Sequence, residues 1–146
     1  MAQPTAPTSR AREKTGGDEE AAVDLKLGEF EGVPTLTLSE ARLIIESILA
    51  RRRKQRQVTE TETLIKTQDY LDVFARFKQQ ETITAVEAML RGKTELEPFE
   101  RSQLGSLCCE SAEEAKTLIP SLTNKISDVD LQDLLDEITK LRNFVE

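Results

Sequence analysis

The stretch Glu95–Phe144 decides the fold. It reads ELEPFERSQLGSLC over Glu95–Cys108, SAEEAKTLIPSL over Ser111–Leu122 and LQDLLDEITKLRNF over Leu131–Phe144. Pro98 suits the first turn of a helix, where its missing N–H is of no consequence. Phe99, Leu104, Leu107 and Cys108 give that helix its apolar contacts. Gly105 inside it costs about 1 kcal/mol relative to alanine, which a close helix crossing would explain. Ser111 and Glu114 have the spacing of a capping box, and Ala112, Ala115, Leu118 and Ile119 follow. Pro120 ends that helix, because the residue before a proline avoids helical angles. Ser127, with Asp128 and Asp130, opens the last helix. Its stripe of Leu131, Leu134, Leu135, Ile138, Leu141, Phe144 and Val145 keeps a 3.6-residue period.

Upstream the pattern stays helical. Thr59 and Glu62 are spaced as a second capping box. Leu64, Leu71, Phe74 and Phe77 line the helix it opens, with Tyr70 nearby. Gln79–Thr82 bends the chain. Ile83, Val86, Met89 and Leu90 then recur at helical spacing, and Gly92 reads as the C-terminal cap. Before these, Ser39 reads as an N-cap with Glu40 at the positive helix end. Leu38 and Leu43 would close a hydrophobic staple across it. That first helix bears Leu43, Ile44, Ile45, Ile48 and Leu49, more apolar surface than one core face needs. The sum is about six helices with no sustained heptad and no internal repeat.

Two segments leave alternatives open. In VPTLTL, residues 33–38, an extended chain would point Leu36 and Leu38 one way and Thr35 and Thr37 the other. Pro34 restricts any strand there to a sheet edge. The segment is either an irregular lead-in or a strand donated to another protein's sheet. The run Arg51, Arg52, Arg53, Lys54 and Arg56 suits a helix C-terminus. It reads as a solvated helix end, or as a nuclear-import or weak RNA-steering element. No aromatic residue interleaves it to stack on bases.

Composition limits the function classes. The 146 residues carry 20 Lys and Arg against 27 Asp and Glu, a net charge of −7. That disfavours the whole chain as a binder of DNA phosphates. The basic excess is confined to residues 25–57, and the helical part is acidic. There is no histidine, which removes the commonest general base and the Ser–His and Cys–His nucleophile pairs. Cys108 and Cys109 are adjacent, fall short of a zinc site, and read as small core hydrophobes of a reducing compartment. Glu113–Glu114 and Asp136–Glu137 are neighbours about 100° apart on a helix and do not converge. Asp128, Asp130 and Asp133 lack the glycine and terminal Glu of a calcium loop. The expectation is no catalytic, cofactor-binding or metal residue. The first 24 residues, rich in Pro, Thr, Gly, Glu and Ala, cannot offset their ordering entropy by burial and read as a disordered tail. No apolar run reaches 18 residues and no signal-peptide stretch opens the chain, so an intracellular protein is expected.

From Tyr70 onward the sequence resembles one family. RFKQQETI (Arg76–Ile83) resembles its bend between two helices, SAEEAKTLIPSL its most recognisable stretch, and LQDLLDEI (Leu131–Ile138) its closing helix. The family is the fourth subunit of eukaryotic RNA polymerase II, and the resemblance covers roughly residues 30–146. It implies an all-α, HRDC-like helical domain over 58–146, preceded by a partner-binding arm and first helix over 25–57, with a short partner-binding strand. It implies an obligate heterodimer with the polymerase's seventh subunit, forming a stalk on the polymerase core near the RNA exit region. It further implies nuclear location with shuttling to the cytoplasm as an added option, contact with RNA through the partner, nucleotide binding on the same ground alone, and no cofactor. Leu36, Leu38, Leu43, Ile44 and Ile48 are the expected interface. The alternatives are the equivalent stalk subunit of RNA polymerase III and a free-standing HRDC-like nucleic-acid adaptor using Arg51–Arg56. An enzyme ranks behind both.

Overall fold

In the computed structural model residues 20–143 are described, and six α-helices form among them. They are α1 (Leu38–Gln55), α2 (Glu62–Phe74), α3 (Gln80–Arg91), α4 (Pro98–Leu107), α5 (Ala112–Leu118) and α6 (Asp128–Asn143). Short 3-10 turns occupy Gly28–Phe30 and Pro120–Leu122. Helix α1 packs on α2, α3 and α4, α3 on α4 and α6, and α5 on α6. The core gathers where α3, α4 and α6 meet the Pro120–Leu122 turn. Leu104, Leu122, Leu131, Leu135 and Ile138 are enclosed there.

Local capping explains the C-terminal half. Pro98 stands in the first turn of α4. The Ser111 hydroxyl accepts the Glu114 N–H at 3.1 Å, while a Glu114 carboxylate oxygen accepts the Glu110 N–H at 3.0 Å. Ser127 caps Asp130 in the same way. Helix α4 ends at Cys108, whose φ of 50° lies in the left-handed region. That conformation costs a non-glycine residue about 1 kcal/mol. The buried Cys108 side chain offsets it, and its thiol donates to the Gly105 carbonyl. Burial pushes that thiol up to about 11, with Arg142 and Arg76 pulling weakly the other way.

The N-terminal caps differ from the sequence reading. Thr37, not Ser39, caps α1, its hydroxyl accepting the Glu40 N–H at 3.2 Å. Leu38 therefore begins the helix and cannot form the outer half of a staple to Leu43. Ser39 is buried, and its hydroxyl accepts the Phe77 N–H at 3.1 Å. Thr61, not Thr59, caps α2. The bend lies at Ala75–Gln79, and Gln80–Thr82 already belong to α3. Gly92 does end α3, in a right-handed conformation. Leu71 is buried on α2 and Phe77 beyond it, whereas Tyr70 and Phe74 are exposed.

No β-strand forms among the described residues, and 33–37 is irregular. The tail assigned to 1–24 lies mostly outside the described residues. From Glu20 the chain makes a turn closed by an Ala21–Leu25 bridge and by the Lys26 N–H to the Glu20 carbonyl. Phe144 and Val145, assigned to the last stripe, also fall outside.

The Ser39–Phe77 hydrogen bond ties α1 to the α2–α3 link, and this yields a prediction. Ser39→Ala leaves a buried N–H without an acceptor and should cost about 1–3 kcal/mol. A urea midpoint unchanged from the parent protein would refute it.

Candidate partner-docking surface

The segment 33–37 turns Thr37 inward and Leu36 outward, with Thr35 exposed. Thr37 is buried against α4, and Thr35 donates its hydroxyl to the Pro98 carbonyl at 2.7 Å. The Leu38 N–H donates to the Ser106 hydroxyl at 3.1 Å. These bonds fix the arm along α4. Leu36 is left 52% exposed. The strict alternation of an extended strand is not kept, since Thr35 is exposed and Leu38 already belongs to α1.

Leu36 and Leu38 line a shallow groove of about 350 Å³, completed by Tyr70 and Phe74 from α2 and Phe99 and Leu107 from α4. Tyr70 and Phe74 lie one turn apart, their ring centroids separated by 4.7 Å. Pairing stiffens both rings before anything binds, so less ordering entropy is lost on association. Arg76, Gln103 and Ser106 give the groove a polar rim.

The five expected interface residues are thereby divided. Leu36 and Leu38 share the groove. Leu43 is partly buried and packs against the domain's own core. Ile44 is exposed and Ile48 half-buried, one turn apart on α1. By helix geometry Ile44 stands about 120° round α1 from Leu38, so the apolar surface continues on a second face. The sequence pattern assigns Phe74, Phe99 and Leu107 to the apolar contacts of their helices and sets Tyr70 nearby, whereas Tyr70, Phe74 and Leu107 are exposed and Phe99 is half-buried. The available signal was the offset of Tyr70 and Phe74 from the Leu64–Leu71 line.

The basic run closes α1 as expected. Arg51, Arg52, Arg53, Lys54 and Arg56 are all exposed, and Arg53 pairs with Glu60 at 2.8 Å. It lies at the far end of α1 from the groove. Among the described residues no group of three His, Cys, Asp or Glu side chains could hold a metal ion.

The packed helices, with an arm laid along one of them and apolar side chains gathered beside it, define a class: a small all-α domain with an N-terminal arm. The chain belongs to the RNA polymerase Rpb4 family, whose family model matches residues 35–142. It is 51% identical over 129 residues to the DNA-directed RNA polymerase II subunit rpb4 of Schizosaccharomyces pombe, covering 86% of this chain and 94% of that one. It is 46% identical over 81 residues to the Saccharomyces cerevisiae subunit RPB4, covering 56% of this chain and 36% of that protein. Over 140 residues it is 29% identical to RNA polymerase II subunit 4 of Arabidopsis thaliana, spanning 89% and 99% of the two chains.

Proposed function

We propose that the chain is a non-catalytic subunit of nuclear RNA polymerase II and that it acts by docking. Its partner is the polymerase's seventh subunit, and the pair forms the stalk near the RNA exit region, serving initiation and transcript handling. Residues 25–57 supply the arm and first helix of the contact, on an HRDC-like domain over 58–146. The observation that carries this reading is the outward-facing Leu36 beside the paired Tyr70 and Phe74. Main-chain groups add to it. The N–H groups of Thr35 and Leu36 make no hydrogen bond among the described residues, so the arm can pair with a sheet edge.

Magnitudes favour a wide contact. Fully burying a large aliphatic side chain contributes about 1.5–3 kcal/mol, and half-exposed ones give about half of that. Association costs about 4–15 kcal/mol in lost freedom. The groove by itself barely offsets that cost. Ile44 and Ile48 on the second face of α1 supply the additional apolar area.

The test is co-purification with the seventh subunit. Leu38→Asp with Ile44→Asp should abolish it, and Leu36→Asp, at an exposed position, should weaken it at least tenfold, since a desolvated charge costs more than about 1.4 kcal/mol. Helical circular dichroism should remain. Unchanged co-purification of the folded variants would sink the assignment.

A further inference from the structure

The start of α3 faces a cavity of about 370 Å³ that shares only Arg76 with the docking groove. Arg76, Lys78 and Arg142 line it, together with Gln79 and Thr82. Arg76 and Arg142 come from opposite ends of the domain sequence, and neither forms an ion pair among the described residues. Both side chains line this one cavity. The Lys78 ammonium is positioned by the Asp72 main-chain carbonyl at 2.7 Å. Helix α3 has 12 residues, and no side chain caps its N-terminus at Gln79. Its first N–H groups thus keep their capacity to bind an anion, aided by the helix dipole.

Thr82 brings a hydroxyl to the same cavity. It is only 8% exposed, lines this cavity, and its hydroxyl makes no hydrogen bond among the described residues. The fully enclosed polar atoms without a partner among the described residues are Glu100 Oε2 and Ser121 Oγ, so the Thr82 oxygen stays accessible and free to donate beside the uncapped N–H groups and the three cations.

We propose that this cavity is a binding site for a phosphomonoester dianion, of the kind borne by a phosphorylated serine or threonine side chain. Uncapped N–H groups of α3 and the Thr82 hydroxyl donate to the phosphate oxygens, and Arg76, Lys78 and Arg142 balance its charge. A dianion suits a compact cluster of three cations better than the single charge per residue of a nucleic-acid strand, which needs an extended basic track. The surrounding domain is acidic, so such a track is not available here.

The test is titration of the full chain, followed by the backbone amide resonances of Gln80, Glu81 and Thr82. Inorganic phosphate and a phosphoserine peptide are the two probes, with the unphosphorylated peptide as control. Saturable shifts of these amides at millimolar phosphate, and tighter with the phosphopeptide, are expected. Arg142→Gln and Arg76→Gln should each weaken binding about tenfold, as for loss of one charge-assisted bond. Thr82→Val should weaken it several-fold without lowering the unfolding midpoint, since its hydroxyl has no partner to lose. Three results would overturn the proposal. One is the absence of saturable shifts at roughly 20 mM phosphate, far above a millimolar dissociation constant. Another is equal affinity in the variants. The third is a single-stranded RNA oligonucleotide that moves these amides at lower concentration than the phosphopeptide. Arg76 also rims the docking groove, so the two proposals are separated by Arg142→Gln and Thr82→Val, which lie outside that groove and should leave co-purification with the polymerase partner unchanged.

Discussion

Lys125→Met is expected to destabilise the domain by about 3 kcal/mol, because breaking one side of a buried ion pair leaves an uncompensated charge. Its partner is Glu100 on α4, which is fully enclosed. One Glu100 carboxylate oxygen accepts from the Lys125 ammonium, and the other has no hydrogen-bond partner among the described residues. The carboxylate therefore depends on a single cation for its charge balance. Lys125 lies in the turn between Pro120–Leu122 and α6, so the pair clamps α4 to the connection between α5 and α6. The pair itself is weak evidence of net stabilisation, since apolar replacements of both partners are often neutral or better. Glu100→Met combined with Lys125→Met should accordingly recover most of the loss. Urea unfolding of the two variants measures both effects. A single variant within about 0.5 kcal/mol of the parent, the range of ordinary surface substitutions, would show that Glu100 finds its balance elsewhere.

Gly105→Val is expected to cost about 3 kcal/mol, at the upper end for overpacking a close contact. A Cβ at Gly105 would stand 2.6 Å from the Thr37 methyl and 2.9 Å from a Leu90 methyl. Leu90 could swing aside, but Thr37 is β-branched and its hydroxyl caps α1. Moving Thr37 therefore also loosens a cap worth about 1 kcal/mol. Valine and glycine differ little in helix propensity, so most of the change is steric. Gly105→Ala should lose less, because alanine regains about 1 kcal/mol of propensity against the same overlap. Amide hydrogen exchange at Thr35–Leu38 should quicken in both variants as the arm lifts from α4. Undisturbed exchange there, with parent-like stability, would remove Gly105 as the arm's seat. If the arm presents Leu36 to the partner, loss of this seat should weaken docking even though Gly105 itself is buried.

Caps were legible where only one candidate stood at the right spacing. Ser111 with Glu114 and Ser127 with Asp130 satisfy donors within three residues, and Pro98 in a first turn presents no N–H to satisfy. Around α1 and α2 two hydroxyl residues lie two positions apart, Thr37 with Ser39 and Thr59 with Thr61. Either can cap, and a distant group settles the choice for α1. The Phe77 N–H takes the Ser39 hydroxyl, and the Gly105 notch receives the Thr37 methyl. The bend after α2 was displaced by a few residues for a similar reason. Its end follows from Phe77 turning into the core, a contact with no local signature.

Local chemistry in the sequence determined the six helices, most of their ends and the family, because caps, prolines and apolar periods act within one or two turns. The division of apolar residues between interior and surface was decided only by tertiary structure. Leu71 and Phe77 are claimed by the core, while Tyr70, Phe74 and Leu107 are left exposed around Leu36. Periodicity reports only that a helix has an apolar side. Which part of that side is covered depends on how wide a neighbour arrives, and here α1 packs on α2 while Tyr70 and Phe74 stay exposed beside the arm. The apolar edge left open there forms the groove to which the docking proposal assigns a partner.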